Sequence, residues 1–182
     1  MKNIVIAPFS NSPIRDWPGA HFATLIGLLL EQLGDDCRIR LTGTANQRLN
    51  VNEIVRYHPA DRVINACGRM TWDEVLEGLR FADCVIGNNS GIAHVAGFFG
   101  TPTVCIFGGS HQRLEWGPRG DNVVILSRVI GCSPCHLDHG HVSPYGKACL
   151  REIDPVEVVD AAKMIMTRSV GAARDAAKRK WN

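Results

Sequence analysis

Three loop segments and one cysteine-rich stretch hold the residues whose types and spacing could do chemistry. The first segment reads Ser10-Asn11-Ser12-Pro13-Ile14-Arg15-Asp16-Trp17-Pro18. Two hydroxyls, an amide and a cation stand here just before a helix start. That set suits a phosphate, because free backbone N–H groups and the helix dipole already favour an anion. Taken alone, the same residues also make an ordinary turn with Ser and Asn caps. The second segment is Gly87-Asn88-Asn89-Ser90-Gly91-Ile92-Ala93-His94. Its small polar residues and glycine let the backbone come close to a ligand. His94 follows Ser90 by about one helical turn, so its ring could face the same cleft. A structural histidine with its hydrogen bonds satisfied is the plainer reading. The third segment, Gly108-Gly109-Ser110-His111, could supply more amides. No G-x-G-x-x-G follows the first strand and no G-x-x-x-x-G-K-[ST] occurs, so neither a dinucleotide fingerprint nor a P-loop is supported.

The seven cysteines divide by location. Cys37, Cys67, Cys84 and Cys105 lie in or beside apolar segments and read as buried thiols. Cys132-x-x-Cys135 and then Cys149 lie in a Gly/Pro/His-rich stretch, with His136, His139 and His141 between them. Three thiolates and one of those histidines would satisfy tetrahedral zinc, and an all-thiolate site completed by another residue would suit iron. A structural metal would also give such a segment a reason to be ordered. Three free thiols in a loop packed on the body is the alternative. The odd cysteine count, with no leader after Met1-Lys2-Asn3, points to a reducing cytosol.

The elements that must position these loops alternate regularly. Strands are predicted at Asn3–Phe9, Arg38–Thr42, Arg62–Cys67, Asp83–Gly87, Thr103–Phe107 and Val123–Leu126. Helices are predicted at Pro18–Leu33, Asn46–Tyr57, Thr71–Phe81, Gly91–Phe99 and Asp154–Thr167, followed by a basic tail to residue 182. Thr71 with Glu74 three residues later is a capping-box pattern. This order implies an α/β fold: a Rossmann-like, doubly wound parallel sheet of about six strands. An irregular Cys/His-rich loop over 131–149 interrupts it, and a C-terminal helical tail over 154–182 closes it. No linker divides residues 1–182, which read as one domain. The chain is 182 residues long, 45% hydrophobic and 21% charged, with a net charge of +2. The near-neutral balance gives no electrostatic case for nucleic acid or anionic lipid. The longest apolar stretch, Phe22 to Leu30, is too short to span a membrane and carries Thr24.

Longer motifs connect these segments. Asp83-Cys84-Val85-Ile86-Gly87-Asn88-Asn89-Ser90-Gly91-Ile92-Ala93-His94-Val95-Ala96, followed by Gly100-Thr101-Pro102-Thr103-Val104-Cys105-Ile106-Phe107-Gly108, resembles the C-terminal half of the heptosyltransferases, glycosyltransferase family nine. That family shows D-[ST]-G-x-x-H-x-A and then G-T-P-x-x-x-x-F-G. Arg15-Asp16-Trp17-Pro18 resembles its K-x-W-P segment. Cys132, Cys135, Cys149 and Ile153-Asp154-Pro155-Val156-Glu157-Val158 resemble its C-x-x-C…C…I-x-P-x-x-V ending. The resemblance covers nearly the whole chain in order.

It implies one half of a GT-B fold, the Rossmann-like domain that holds a nucleotide-diphospho-sugar donor. By position, Ser10, Asn11, Ser12 and Arg15 would hold the diphosphate. Asn89, Ser90, Gly91 and His94 would line the donor pocket, and Gln47 would sit near the nucleoside. Three residues depart from the pattern. Arg15 replaces the family's lysine, keeping the charge and adding a planar fork. Asn89 replaces an aspartate and Gln47 a glutamate, each removing a negative charge beside a dianionic ligand. The family's acceptor site and acidic general base belong to an N-terminal domain with no counterpart here. Asp16 and Glu115 read as solvated surface acids rather than substitutes for that base. The expected function is therefore donor binding, with a partner domain, a partner subunit or a homodimer completing the cleft for transfer. A non-catalytic binding or assembly module that keeps the fold is the alternative.

Overall fold

Alternation along the strands assigns side chains to two opposed apolar layers. In β1 (Lys2–Ala7), Ile4 and Ile6 face one layer and Val5 the other; in β4 (Cys84–Asn88), Cys84 and Ile86 oppose Val85 in the same way. Such strands are apolar on both faces, as a parallel sheet covered on both sides requires. The computed structural model describes residues 1–137, 142, 143 and 145–168. The predicted tail beyond 168 and the candidate ligands His139 and His141 lie outside the described residues.

The remaining strands are β2 (Cys37–Leu41), β3 (Val63–Asn65), β5 (Thr103–Phe107) and β6 (Val123–Ser127). All pairings are parallel and the sheet order is β3-β2-β1-β4-β5-β6. The longer helices are α1 (Gly19–Leu33), α2 (Arg48–Val55), α3 (Trp72–Phe81), α4 (Gly91–Phe98) and, last in the described chain, α7 (Pro155–Arg168). Two single-turn helices, α5 (Arg113–Trp116) and α6 (Ala148–Arg151), lie in stretches or at edges read from sequence as irregular. The doubly wound parallel sheet is thus the architecture, with element ends shifted from expectation by a residue or two.

On one face, Phe22, Leu25, Ile26 and Leu29 recur at helical spacing on α1 and are fully buried beside Val158, Val159 and Ala162 of α7. On the other, Leu79 of α3 and Ala96 of α4 close over Val5 and Val85. The capping box at the start of α3 forms: Glu74 N–H donates to Thr71 Oγ1 at 3.3 Å, and Thr71 N–H donates to the Glu74 carboxylate at 2.7 Å. Cys37, Cys67, Cys84 and Cys105 are buried thiols, as their apolar settings predict. No helix among the described residues is long and apolar enough to cross a membrane.

Candidate functional site

The chain leaves β1 toward β2 and β3, then returns to place β4 on the other side of β1. The loops after β1 and β4 therefore diverge, and the crevice they leave beyond the strand ends is where such sheets bind ligands. A cavity of about 850 Å³ occupies it. Ser10, Asn11 and Arg15 line it from the loop after β1, Thr42 to Thr44 and Gln47 from the loop after β2, and Asn89, Ser90, Gly91 and His94 from the start of α4. Gly87, opposite Ala7, makes the strand ends fit closely: a Cβ there would lie 2.8 Å from the Ala7 carbonyl oxygen.

Of the expected donor-binding residues, Ser12 alone stays out of the cavity lining. It is fully buried, and its hydroxyl has no partner among the described residues. The Ser10 hydroxyl is also turned inward. It donates to the Ser12 carbonyl at 2.8 Å and accepts the Ser12 N–H at 3.0 Å, so it shapes the loop instead of facing a ligand. Asn11 Oδ1 accepts from an Arg15 terminal nitrogen, while Arg15 Nε, buried, has no partner among the described residues. Gln47 reaches the cavity but is committed to the frame: its amide donates to Ser10 O at 3.2 Å and accepts from Thr44 N–H at 3.0 Å.

At α4, Ser90 takes the N-cap position with extended backbone and makes no side-chain cap bond. Its buried hydroxyl is unpartnered among the described residues, next to first-turn N–H groups that have no acceptor within their helix. Asn89 Oδ1 lies 3.1 Å from His94 Nε2. Burial holds the His94 ring below its ordinary value of 6.5, so it is neutral at pH 7. The result is an unpaired guanidinium nitrogen, a free hydroxyl and a helix start converging on one crevice, with no carboxylate among the residues named for it. Such a place favours an anion with oxygen acceptors.

Two expectations need correction. Asp16 is not a solvated acid: it accepts the Ser10 N–H at 2.7 Å and lies 3.4 Å from Asn88 Nδ2. Burial raises its pKa, against the lowering effects of Ser10, Lys147 and Arg15. Glu115, by contrast, is exposed as expected. The glycine-rich loop after β5 does not join the main crevice. Gly108, Gly109 and His111 border a separate cavity of about 190 Å³, and Gly109 O accepts from Cys135 N–H at 2.9 Å. That loop packs against the cysteine segment because Gly109 has no side chain to hold Ser133 and Cys149 away.

The sequence reading missed the apolar side of the crevice, where Phe9, Met70, Trp72, Val75 and Trp116 join the lining. Trp72 and Trp116 are each 57% exposed, an unusual state for large aromatics. Trp72 follows the Thr71 cap and so had a findable signal. Trp116 sits on α5, in a stretch with no periodicity to place it.

Cys132 and Cys135 are half-buried and Cys149 is buried. Desolvation raises the Cys132 pKa, and the neighbouring Cys135 and Cys149 add to the rise. Among the described residues no group of three or more His, Cys, Asp or Glu side chains is gathered closely enough to hold a metal ion. His136 has a left-handed backbone, φ 52°.

Residues 1–145 match the family model described as glycosyltransferase family 9 (heptosyltransferase). The chain is 27% identical over 159 residues to lipooligosaccharide heptosyltransferase 2 of Campylobacter jejuni, an alignment covering 85% of this chain and 48% of that protein. Among solved structures it is similar to the E. coli ADP-heptose lipopolysaccharide heptosyltransferase II, with a TM-score of 0.76 at 20% identity, covering 92% of this chain and 47% of that one. It is also similar to TibC, an iron-containing dodecameric glycosyltransferase of enterotoxigenic E. coli H10407, with a TM-score of 0.66 at 20% identity, covering 93% and 47%. The chain spans about half the length of the curated relatives it matches.

Proposed function

This chain belongs to glycosyltransferase family 9, the heptosyltransferase family, and on that premise we propose that it binds a nucleotide-diphospho-sugar donor for glycosyl transfer. The observation that carries the reading is the crevice beyond β1, β2 and β4. At about 850 Å³ it is large enough for a nucleotide sugar, and its polar and apolar sides are distinct. The diphosphate lies across Arg15, Ser90 and the first turn of α4, where positive charge and open N–H groups compensate it. The nucleoside lies toward Thr44, Gln47, Met70 and Trp72, whose apolar surfaces suit a flat base. His94, held neutral and fixed by Asn89, offers a hydrogen bond without adding charge. An ADP-sugar is the first donor to test, since the similar E. coli heptosyltransferase II is an ADP-heptose enzyme.

Transfer needs a base within about 3 Å of the acceptor hydroxyl. Asp16 is engaged with Ser10 N–H and Asn88, and Glu115 is not among the residues lining the crevice. An acceptor-binding partner domain or subunit, or a second copy of the chain, therefore completes the cleft and supplies the base. Action in the cytoplasm on a lipopolysaccharide-type acceptor is part of the same proposal. Cys132, Cys135 and Cys149, with His136, His139 or His141 as fourth ligand, form the candidate set for a structural zinc or iron. Support comes from three soft donors in sequence, with Cys135 and Cys149 near enough to raise the Cys132 pKa, and from the iron of the similar TibC. A metal there would cross-link the segment and order it.

Calorimetric titration with ADP-, GDP- and UDP-sugars tests the donor reading: saturable binding of at least one is expected. The second reading, a module without donor binding, is favoured by the Gln47 and Ser10 side chains being spent on the frame. It predicts no heat from any of the three.

A further inference from the structure

The loop that carries Arg15 is braced from a distant part of the chain. Residues Pro13–Arg15 form a single 3-10 turn whose N-cap, Ser12, makes no side-chain cap bond. Its backbone bonds are Arg15 N–H donating to Ser12 O at 2.9 Å and Asp16 N–H donating to Pro13 O at 3.2 Å, with Ser10 N–H donating to the Asp16 carboxylate at 2.7 Å beside them. One turn with two backbone bonds is a weak unit on its own. Its C-terminal side is anchored in the core: Trp17, 1% exposed, donates its indole N–H to Ile153 O at 3.1 Å, and its backbone N–H to Asn88 Oδ1 at 3.0 Å. Between these anchors, the Lys147 ammonium donates to Pro13 O at 3.0 Å and to Asp16 O at 3.1 Å. It closes both ends of the turn from outside.

Lys147 can do this because its own backbone is held in an unusual state. Its φ is 58°, in the left-handed region that costs a non-glycine residue free energy, and Gly146 before it is also left-handed at 55°. The Lys147 N–H donates to Ser143 Oγ at 3.0 Å, and the residue is the N-cap of α6, which carries Cys149. The chain leading into α6 and Cys149 therefore carries a side chain that spans to the Arg15 turn. A charge-assisted bond to a carbonyl is stronger than a neutral one, and two on a single turn make its geometry depend on the cation.

We propose that Lys147 is a positioning residue that clamps the Pro13–Arg15 turn in its ligand-binding shape, linking the start of α6 to diphosphate affinity. The affinity part rests on the donor reading above; the clamp itself does not. Because its ammonium donates to two backbone carbonyls of the turn and the residue is not among those lining the crevice, it acts through the turn.

Hydrogen exchange and ADP titration on the full chain, wild type against Lys147→Met and Lys147→Arg, test it. Lys147→Met keeps the aliphatic stem and removes both donors. Expected are faster exchange at the Arg15 and Asp16 amides and ADP binding weakened about tenfold, the equivalent of one charge-assisted contact. The Ile4 to Ile6 amides of β1 should keep wild-type protection, which shows the sheet folded. Lys147→Arg should restore most of both effects. Unchanged exchange at the two amides in a folded Lys147→Met protein overturns the clamp, and so does a loss of protection spread equally through β1. Faster exchange at those amides, with no ADP-, GDP- or UDP-sugar bound even by wild type, upholds the clamp and overturns the donor reading.

Discussion

At the residue scale, the neutral pair His94 and Asn89 sets the electrostatics of the helix start. Burial keeps the folded ring below 6.5, so the folded chain binds fewer protons there than the unfolded one. Stability from this residue therefore falls as pH drops below about 6.5. Asn89→Asp puts a carboxylate at the ring nitrogen now 3.1 Å from Asn89 Oδ1 and favours the charged ring. The His94 titration followed by NMR should move upward from its wild-type midpoint; a midpoint unchanged from wild type contradicts the contact. The same scale explains what the sequence could and could not reveal. That Arg15, Ser90 and His94 would border one crevice was legible from their places in the loops after β1 and β4. Ser10 and Ser12 have the same types, yet loop closure and burial remove them from the lining or spend their hydroxyls. Composition does not encode which way a hydroxyl turns.

At the element scale, the crevice exists because β1 and β4 are neighbours although two strands separate them in sequence. Gly87 permits their close fit. Gly87→Ala places a methyl 2.8 Å from the Ala7 carbonyl oxygen, between two backbones that cannot step aside easily. The cost of such overpacking is about 1–3 kcal/mol, which should lower the melting temperature by roughly 2–4 °C per kcal/mol at this size. A calorimetric scan checks it, and an unchanged midpoint contradicts the packing. Strands and long helices were legible from periodicity, and Thr71 with Glu74 marked the start of α3. The 3-10 turn at Pro13–Arg15 and the short α5 were not, because one turn carries no period. The turn is held by contacts far apart in sequence, Trp17 with Ile153 and Lys147 with Pro13, and α5 by the local ring contact of His111 with Trp116. Trp116, at the end of α5, was missed for want of a period.

At the scale of the whole molecule, a doubly wound sheet opens the crevice beyond β1, β2 and β4, while Ser133, Cys135 and Cys149 pack on Gly109. The alternation of elements made the fold legible, and the ordered run of motifs made the family legible. If Cys132, Cys135 and Cys149 hold a metal, protein purified without chelator should contain about one zinc or iron per chain by plasma mass spectrometry, reduced in Cys149→Ser. Metal content at background in the folded wild type contradicts that assignment.

The central claim is that the Arg15 turn and the start of α4 grip a diphosphate together. Isothermal titration of ADP-, GDP- and UDP-sugars into wild type and Arg15→Ala tests it most directly. The account predicts saturable binding of at least one donor by wild type, weakened in Arg15→Ala by about 1.5–3 kcal/mol, the range of a hydrogen bond to a charged group. Equal affinity in the two folded proteins, or no binding of any donor by wild type, would contradict it.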